Sequence, residues 1–118
     1  MNKWLNYHKC LEMMDDARKY YSEIKLKCDI DKVIYKDSDK ILESIYLLEM
    51  TAFAYYLNSY EYFCEQFFNR KINKNRFIVN FKNTIKNLFN NESIKPFLYN
   101  NKNDFTYLIK FFETIISS

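Results

Sequence analysis

The sequence predicts an all-α fold: a single-domain bundle, over residues 1–118, of about five helices plus one short helix, with a near-all-apolar central helix. Two observations carry the prediction. Apolar residues recur in steps of three and four along almost the whole chain, the spacing of a helix with one buried face. The 118 residues also contain no glycine and one proline, where average usage would supply roughly eight glycines. Without glycine the tight Asn-Gly and Asp-Gly hairpin turns of an antiparallel sheet are missing. The Gly-rich phosphate loop, the dinucleotide-binding fingerprint and the nucleophile elbow are missing with them.

The first helix is expected over residues 3–28, with Trp4, Tyr7, Leu11, Met14, Ala17, Tyr21, Ile24 and Cys28 on one face. Residues 29–37 are expected as a charged connector. Ser38 or Asp39 then suits an N-cap, because a short polar side chain there accepts from an otherwise unpartnered helix N–H. Residues 39–57 are apolar nearly all round (Ile45-Tyr46-Leu47-Leu48, Met50, Ala52 to Leu57). Such a helix is expected to be surrounded by others. Asn58-Ser59 is the expected break, with Asn58 and Glu61 spaced as a capping box.

A third helix is expected over residues 60–70, a polar turn near 71–74, and a fourth helix over 75–90 with Ile78, Phe81, Ile85 and Leu88 inward. Pro96 fits the first turn of a short helix begun at Ser93, where its missing N–H costs little. Asp104 is the expected cap of a last helix that uses Phe105, Leu108, Ile109, Phe112 and Ile116. Asparagine replaces glycine as the helix terminator, and Asn58, Asn69, Asn90-Asn91 and Asn100 stand where helices are expected to end.

Charge is divided unevenly. Residues 1–65 carry net −3 and residues 66–118 net +6, and no acid lies between Glu65 and Glu92. That interval holds Arg70, Lys71, Lys74, Arg76, Lys82 and Lys86, and Arg76, Asn80, Asn83 and Asn87 recur on one side of the fourth helix. Arg and Asn pair bidentately with base edges and lysines hold phosphates. Residues 60–90 therefore read as a basic helix-turn-helix-like segment that contacts nucleic acid or a partner.

Catalytic and metal chemistry find little support. The single His8 has no nucleophile spaced to use it, and His8, Glu12 and Asp16 read as an ordinary solvated face. Glu49, the one carboxylate within the apolar run of the second helix, is expected to point to the bundle edge or to pair with a lysine or tyrosine; if buried, its pKa would be raised. Three cysteines (Cys10, Cys28, Cys64) without a Cys-x-x-Cys read as reduced, buried thiols. No cofactor or metal is expected. The opening residues hold no apolar run of signal-peptide length, and Ile45 to Leu57 is too short to span a bilayer. A soluble, cytoplasmic protein without a membrane partner is expected.

The chain has 11 tyrosines and 11 phenylalanines, more rings than a core of this size holds. Tyr55, Tyr56, Tyr60 and Tyr62 are the expected aromatic docking surface, because tyrosine offers large contact area at small entropic cost. The reading is a non-enzymatic protein that binds a macromolecular partner, a protein or ribonucleoprotein complex. The alternative is a DNA- or RNA-binding regulator, and a homodimer is a third reading. Codon-level composition (abundant Lys, Asn, Ile, Tyr, Phe) points to an AT-rich genome. In gross character the chain is similar to small phage and mobile-element proteins that obstruct a host defence complex, anti-CRISPR proteins among them; no shared motif underlies the likeness.

Overall fold

The computed structural model describes residues 2–117. Every regular element among them is helical: α1 (Lys3–Ile34), α2 (Asp39–Phe68), α3 (Lys74–Asn90), α4 (Ile94–Asn100), α5 (Thr106–Phe111) and a π-helical turn, Phe112–Ile116. The all-α fold is as expected. None of these helices is long and apolar enough to cross a membrane.

Two boundaries differ from expectation, and both for want of a breaker. α1 runs on through the expected connector to Ile34. Residues 29–34 contain neither glycine nor proline, and Lys25–Asp29 and Lys32–Asp29 ion pairs lie along the helix. The expected break at Asn58-Ser59 is also absent, so the second and third expected helices are one element, α2. Asn and Ser each cost less than ~0.7 kcal/mol in a helix interior. Burying Leu57, Tyr60 and Phe63 gains about 1.5–3 kcal/mol apiece. Ser59, buried, donates its hydroxyl to the Tyr56 carbonyl instead of capping a new helix.

The chain divides into two packed units. One is Glu12–Ser59, an antiparallel hairpin made from the later part of α1 and the earlier part of α2. Its interior seam holds Met14, Ala17, Cys28, Ile45 and Ala52, with Tyr21 packed edge-on to Phe53 at 5.2 Å and stacked on Tyr56 at 5.9 Å. The expected enclosure of residues 39–57 is not found. The unit has no third helix, and Ile41, Tyr46, Leu47, Leu48, Met50 and Tyr55 are exposed.

The other unit takes residues 2–11 and 60–117. Its core is an aromatic cluster of Tyr7, Phe63, Phe67, Phe77 and Phe111, with ring centroids 4.6–5.3 Å apart in mostly edge-to-face pairs. Each such pair contributes about 0.5–1.5 kcal/mol beyond its buried area. On α3 the buried residues are Phe77, Ile85 and Phe89. Of the expected inward residues Ile85 is buried, while Ile78, Phe81 and Leu88 are half-buried beside Phe77 and Phe89 on the same face.

Helix ends follow expectation at Asn90, which closes α3, and at Asn100, which closes α4, and depart from it elsewhere. α2 closes with a Schellman arrangement: Lys71 N–H donates to the Gln66 carbonyl and Arg70 N–H to the Phe67 carbonyl. The residue in the left-handed region is Arg70, at φ 58°, and not Asn69. Asn73 caps α3 by accepting from the Arg76 N–H at 2.9 Å. Asn91 accepts from the Ser93 and Ile94 N–H groups at the start of α4. Asp104 does not cap α5; the Glu61 carboxylate of α2 does, accepting from the Tyr107 and Leu108 N–H groups.

Candidate partner-binding surfaces

The nine basic and amide residues expected to meet a partner are all exposed: Arg70, Lys71, Lys74, Arg76, Asn80, Lys82, Asn83, Lys86 and Asn87. The structure divides them into two groups. Arg76 and Asn80 are committed to α1. The Arg76 guanidinium sits 4.3 Å from the centre of the buried Tyr7 ring, and Asn80 Nδ2 donates to Tyr7 Oη at 2.7 Å. The remaining residues stand clear of such contacts, apart from Lys74, whose ammonium lies 5.3 Å from the centre of the Phe67 ring. Helical spacing sets Asn75, Lys82, Asn83, Lys86 and Asn90 around Val79 on the outward side of α3.

The N-terminal end of this surface is built by the turn. Asn6 Nδ2 donates to the Lys71 carbonyl at 3.0 Å, tying α1 to the turn before α3. Lys3, Arg70, Ile72, Asn73, Lys74 and Asn75 surround an open depression of about 450 Å³. Because α2 ends in a Schellman turn and does not begin at residue 60, the segment 60–90 is not two short helices about a turn. It is the last third of a long helix followed by α3.

The aromatic surface is smaller than expected. Tyr60 is buried, Tyr56 and Tyr62 are half-buried, and Tyr55 alone of the four is exposed. Tyr55 meets Tyr20 edge-on at 5.7 Å, and the two line a shallow pocket with Asp16 and Thr51.

A larger apolar surface lies on the hairpin, where sequence reading expected core. Thirteen of the sixteen exposed large apolar side chains fall within Glu12–Ser59. Leu26, Ile30, Val33 and Ile34 form a stripe at spacings 4, 3 and 1, on the side of α1 away from Ala17, Tyr21 and Cys28. Val33 is 72% exposed and Leu47, on the outer side of α2, is 67% exposed. The stripe's sequence signal is a second apolar period on α1, interrupted where the charge of residues 29–37 implies a connector.

The ionisable groups inside the hairpin are arranged for structure. Lys32 Nζ lies 2.6 Å from Glu49 Oε2, and Lys25 Nζ lies 3.3 Å from Oε1. The Lys32 ammonium, with Lys25, holds the Glu49 carboxyl below its ordinary range despite partial burial, and both lysines are raised in return. Glu49 thus pairs with lysine, as expected, and with two cations beside it the carboxyl is lowered and not raised. Burial pushes the Cys10 thiol up to about 11 and raises Cys28 and Cys64 as well. His8 stacks on the Trp4 ring at 5.3 Å, and among the described residues no three His, Cys, Asp or Glu side chains gather to hold a metal ion.

No protein-family model, curated protein or solved structure matches this chain.

Proposed function

We propose that this protein is a non-enzymatic binding module that docks a protein partner through the outer apolar faces of the α1–α2 hairpin. The observation that carries the reading is the exposure of Leu26, Ile30, Val33 and Ile34 on α1 together with Leu47 and Met50 on α2. Large apolar side chains clustered on an exposed helix face mark protein-interaction sites. A helix stripe spaced at i, i+4, i+7 and i+8 is the pattern by which one helix packs on another or into a groove. Tyr20 and Tyr55 extend the apolar character along the hairpin.

The partner is a folded protein, alone or within a ribonucleoprotein complex, and the finer reading is steric obstruction of a host defence complex by a phage or mobile-element protein in the cytoplasm. Short length, AT-rich composition and the lack of a catalytic constellation support that finer reading.

Charge-inserting changes test the docking surface. Val33→Glu and Leu47→Glu, being highly exposed, leave helicity and unfolding midpoint within the usual ±0.5 kcal/mol of surface substitutions. Each is expected to abolish partner capture. Light scattering on the isolated protein distinguishes a second copy from a different protein: a dimer that Val33→Glu dissociates would assign the hairpin to self-association and overturn the reading.

A further inference from the structure

The two units handle their charges in opposite ways. Every ion pair among the described residues lies within Glu12–Ser59: Asp15 with Arg18 and Lys19, and Asp29 and Glu49 with Lys25 and Lys32. The unit of residues 2–11 and 60–117 carries eleven basic and five acidic side chains, and none of its cations is ion-paired among the described residues. Six of them, Lys3, Arg70, Lys71, Lys74, Lys82 and Lys86, are exposed on the turn before α3, on α3 and at the adjoining start of α1. Clustered cations left without counter-charges repel one another and cost the fold stability. An external polyanion removes that cost.

From this placement we infer that α3 and the turn before it bind the phosphodiester backbone of a nucleic acid without reading its sequence. Two features distinguish this partner from an acidic protein. The face is polar around its cations, with Asn73, Asn75, Asn83, Asn87 and Asn90 exposed and Val79 the one exposed large apolar residue of α3. Protein–protein interfaces centre on apolar and aromatic anchors, whereas nucleic-acid interfaces are polar and strongly positive. From Lys74 to Lys86 the cations span about 18 Å along the helix, a length that meets several successive phosphates.

Tyr7 withdraws half of the side chains suited to reading bases and leaves a face dominated by cations. Two of the four side chains suited to base edges, Arg76 and Asn80, are held by its ring and hydroxyl. Taking Asn80 away deprives the buried Tyr7 hydroxyl of its hydrogen-bond donor, so the pair serves to fix α3 on α1. Arg70, Lys71, Lys82 and Lys86 have no such side-chain tie, and phosphate contacts position a protein without specifying sequence. The inference uses no residue of the hairpin and stands or falls apart from the docking surface.

Fluorescence anisotropy with two unrelated DNA duplexes of equal length and with a single-stranded RNA tests it. Binding of all three is expected, with the duplexes within about threefold of each other. The logarithm of affinity for duplex should fall against log salt with a slope of about −3 to −5, since each neutralised phosphate contributes about −0.9. Lys82→Ala with Lys86→Ala should flatten the slope by nearly 2 and weaken binding at least about tenfold at low salt. Both sites are exposed, so circular dichroism is expected to report an unchanged fold. Absence of binding at low salt, a slope untouched by the double change, or a strong preference between the duplexes overturns the inference. Equal displacement by polyglutamate at matched charge also overturns it, and reassigns the face to acidic protein.

Discussion

The Glu61 carboxylate, on α2, accepts the backbone N–H of Leu108 at 2.7 Å and that of Tyr107 at 3.2 Å. A residue 47 positions earlier therefore does for α5 what a neighbouring Asp or Ser does for most helices. α5 has six residues and no side-chain cap of its own at Phe105, so its first turn depends on this tertiary bond. Glu61→Ala leaves two half-buried N–H groups unpartnered and is expected to cost about 2 kcal/mol. Glu61→Gln retains one acceptor and should cost about half as much. Urea titration checks both.

Burial raises the Glu61 carboxyl above its ordinary value of 4.5, against the lowering effect of the two N–H donors. A raised acid binds its proton more tightly when folded. Its stabilising share is full below the unfolded value and is lost as pH rises through the folded value. Stability measured from pH ~4 to ~7 should therefore fall more with rising pH in the native chain than in Glu61→Gln.

Glu49 is expected to show the opposite sign. Lys32 and Lys25 hold it below its ordinary value, so its contribution is present above that value and lost as pH falls through the folded one. Glu49→Gln should make the acid limb of the stability profile shallower. Because the ion pair sits at the edge of the hairpin with Lys25 and Lys32 partly exposed, the loss at neutral pH is about 0.5–1 kcal/mol, and added salt should reduce it.

Arg70 occupies the left-handed region at φ 58°, a conformation that costs a non-glycine residue roughly 1 kcal/mol. Arg70→Gly keeps both Schellman hydrogen bonds and is expected to stabilise the fold by about that amount. The same change removes a cation from the α3 surface. A gain in unfolding midpoint accompanied by weaker polyanion binding is the expected pair of results, and a loss of stability would contradict the assignment.

The three buried thiols are raised chiefly by desolvation, and the thiolate is the reactive form. A thiol reagent such as dithionitrobenzoate is expected to react slowly with the native protein at pH 8 and rapidly once urea unfolds it. Rapid reaction of any one thiol in the native state would contradict the packing around it.

Periodicity made the helices legible in the sequence, and the reading erred where it relied on single residues as punctuation. Asn58-Ser59 resembled a break, yet the apolar steps Leu57, Tyr60, Phe63, Phe67 continue across it and burial outweighs the propensity of two polar residues. Asp104 resembled a cap, but the actual cap, Glu61, is remote in sequence and only tertiary structure brings it to α5. The absence of glycine was taken to hand every helix terminus to asparagine. At α2 the left-handed turn falls to Arg70 instead, since Asn69 stands one position too early in the Schellman pattern.

The candidate surfaces were legible in part. The basic run from Arg70 to Lys86 is exposed, as its charge implied. The tie between Arg76, Asn80 and Tyr7 joins residues more than sixty positions apart and leaves no local signal. Tyr60 continues the apolar period of α2, which is why it is buried while Tyr55 is not. The outer stripe of α1 is not legible because residues 29–37 read as a charged connector, which cuts the period Leu26, Ile30, Val33, Ile34 in two.

The docking role of the hairpin is tested most directly by capture from cells of the source organism, comparing the immobilised native protein with Val33→Glu, Leu47→Glu and the Lys82→Ala, Lys86→Ala pair. The account predicts one protein or complex retained in stoichiometric amount by the native chain and lost with either hairpin variant. The same species should persist with the lysine pair once added nuclease and salt have removed nucleic acid. Capture that is indifferent to Val33→Glu and Leu47→Glu would contradict it.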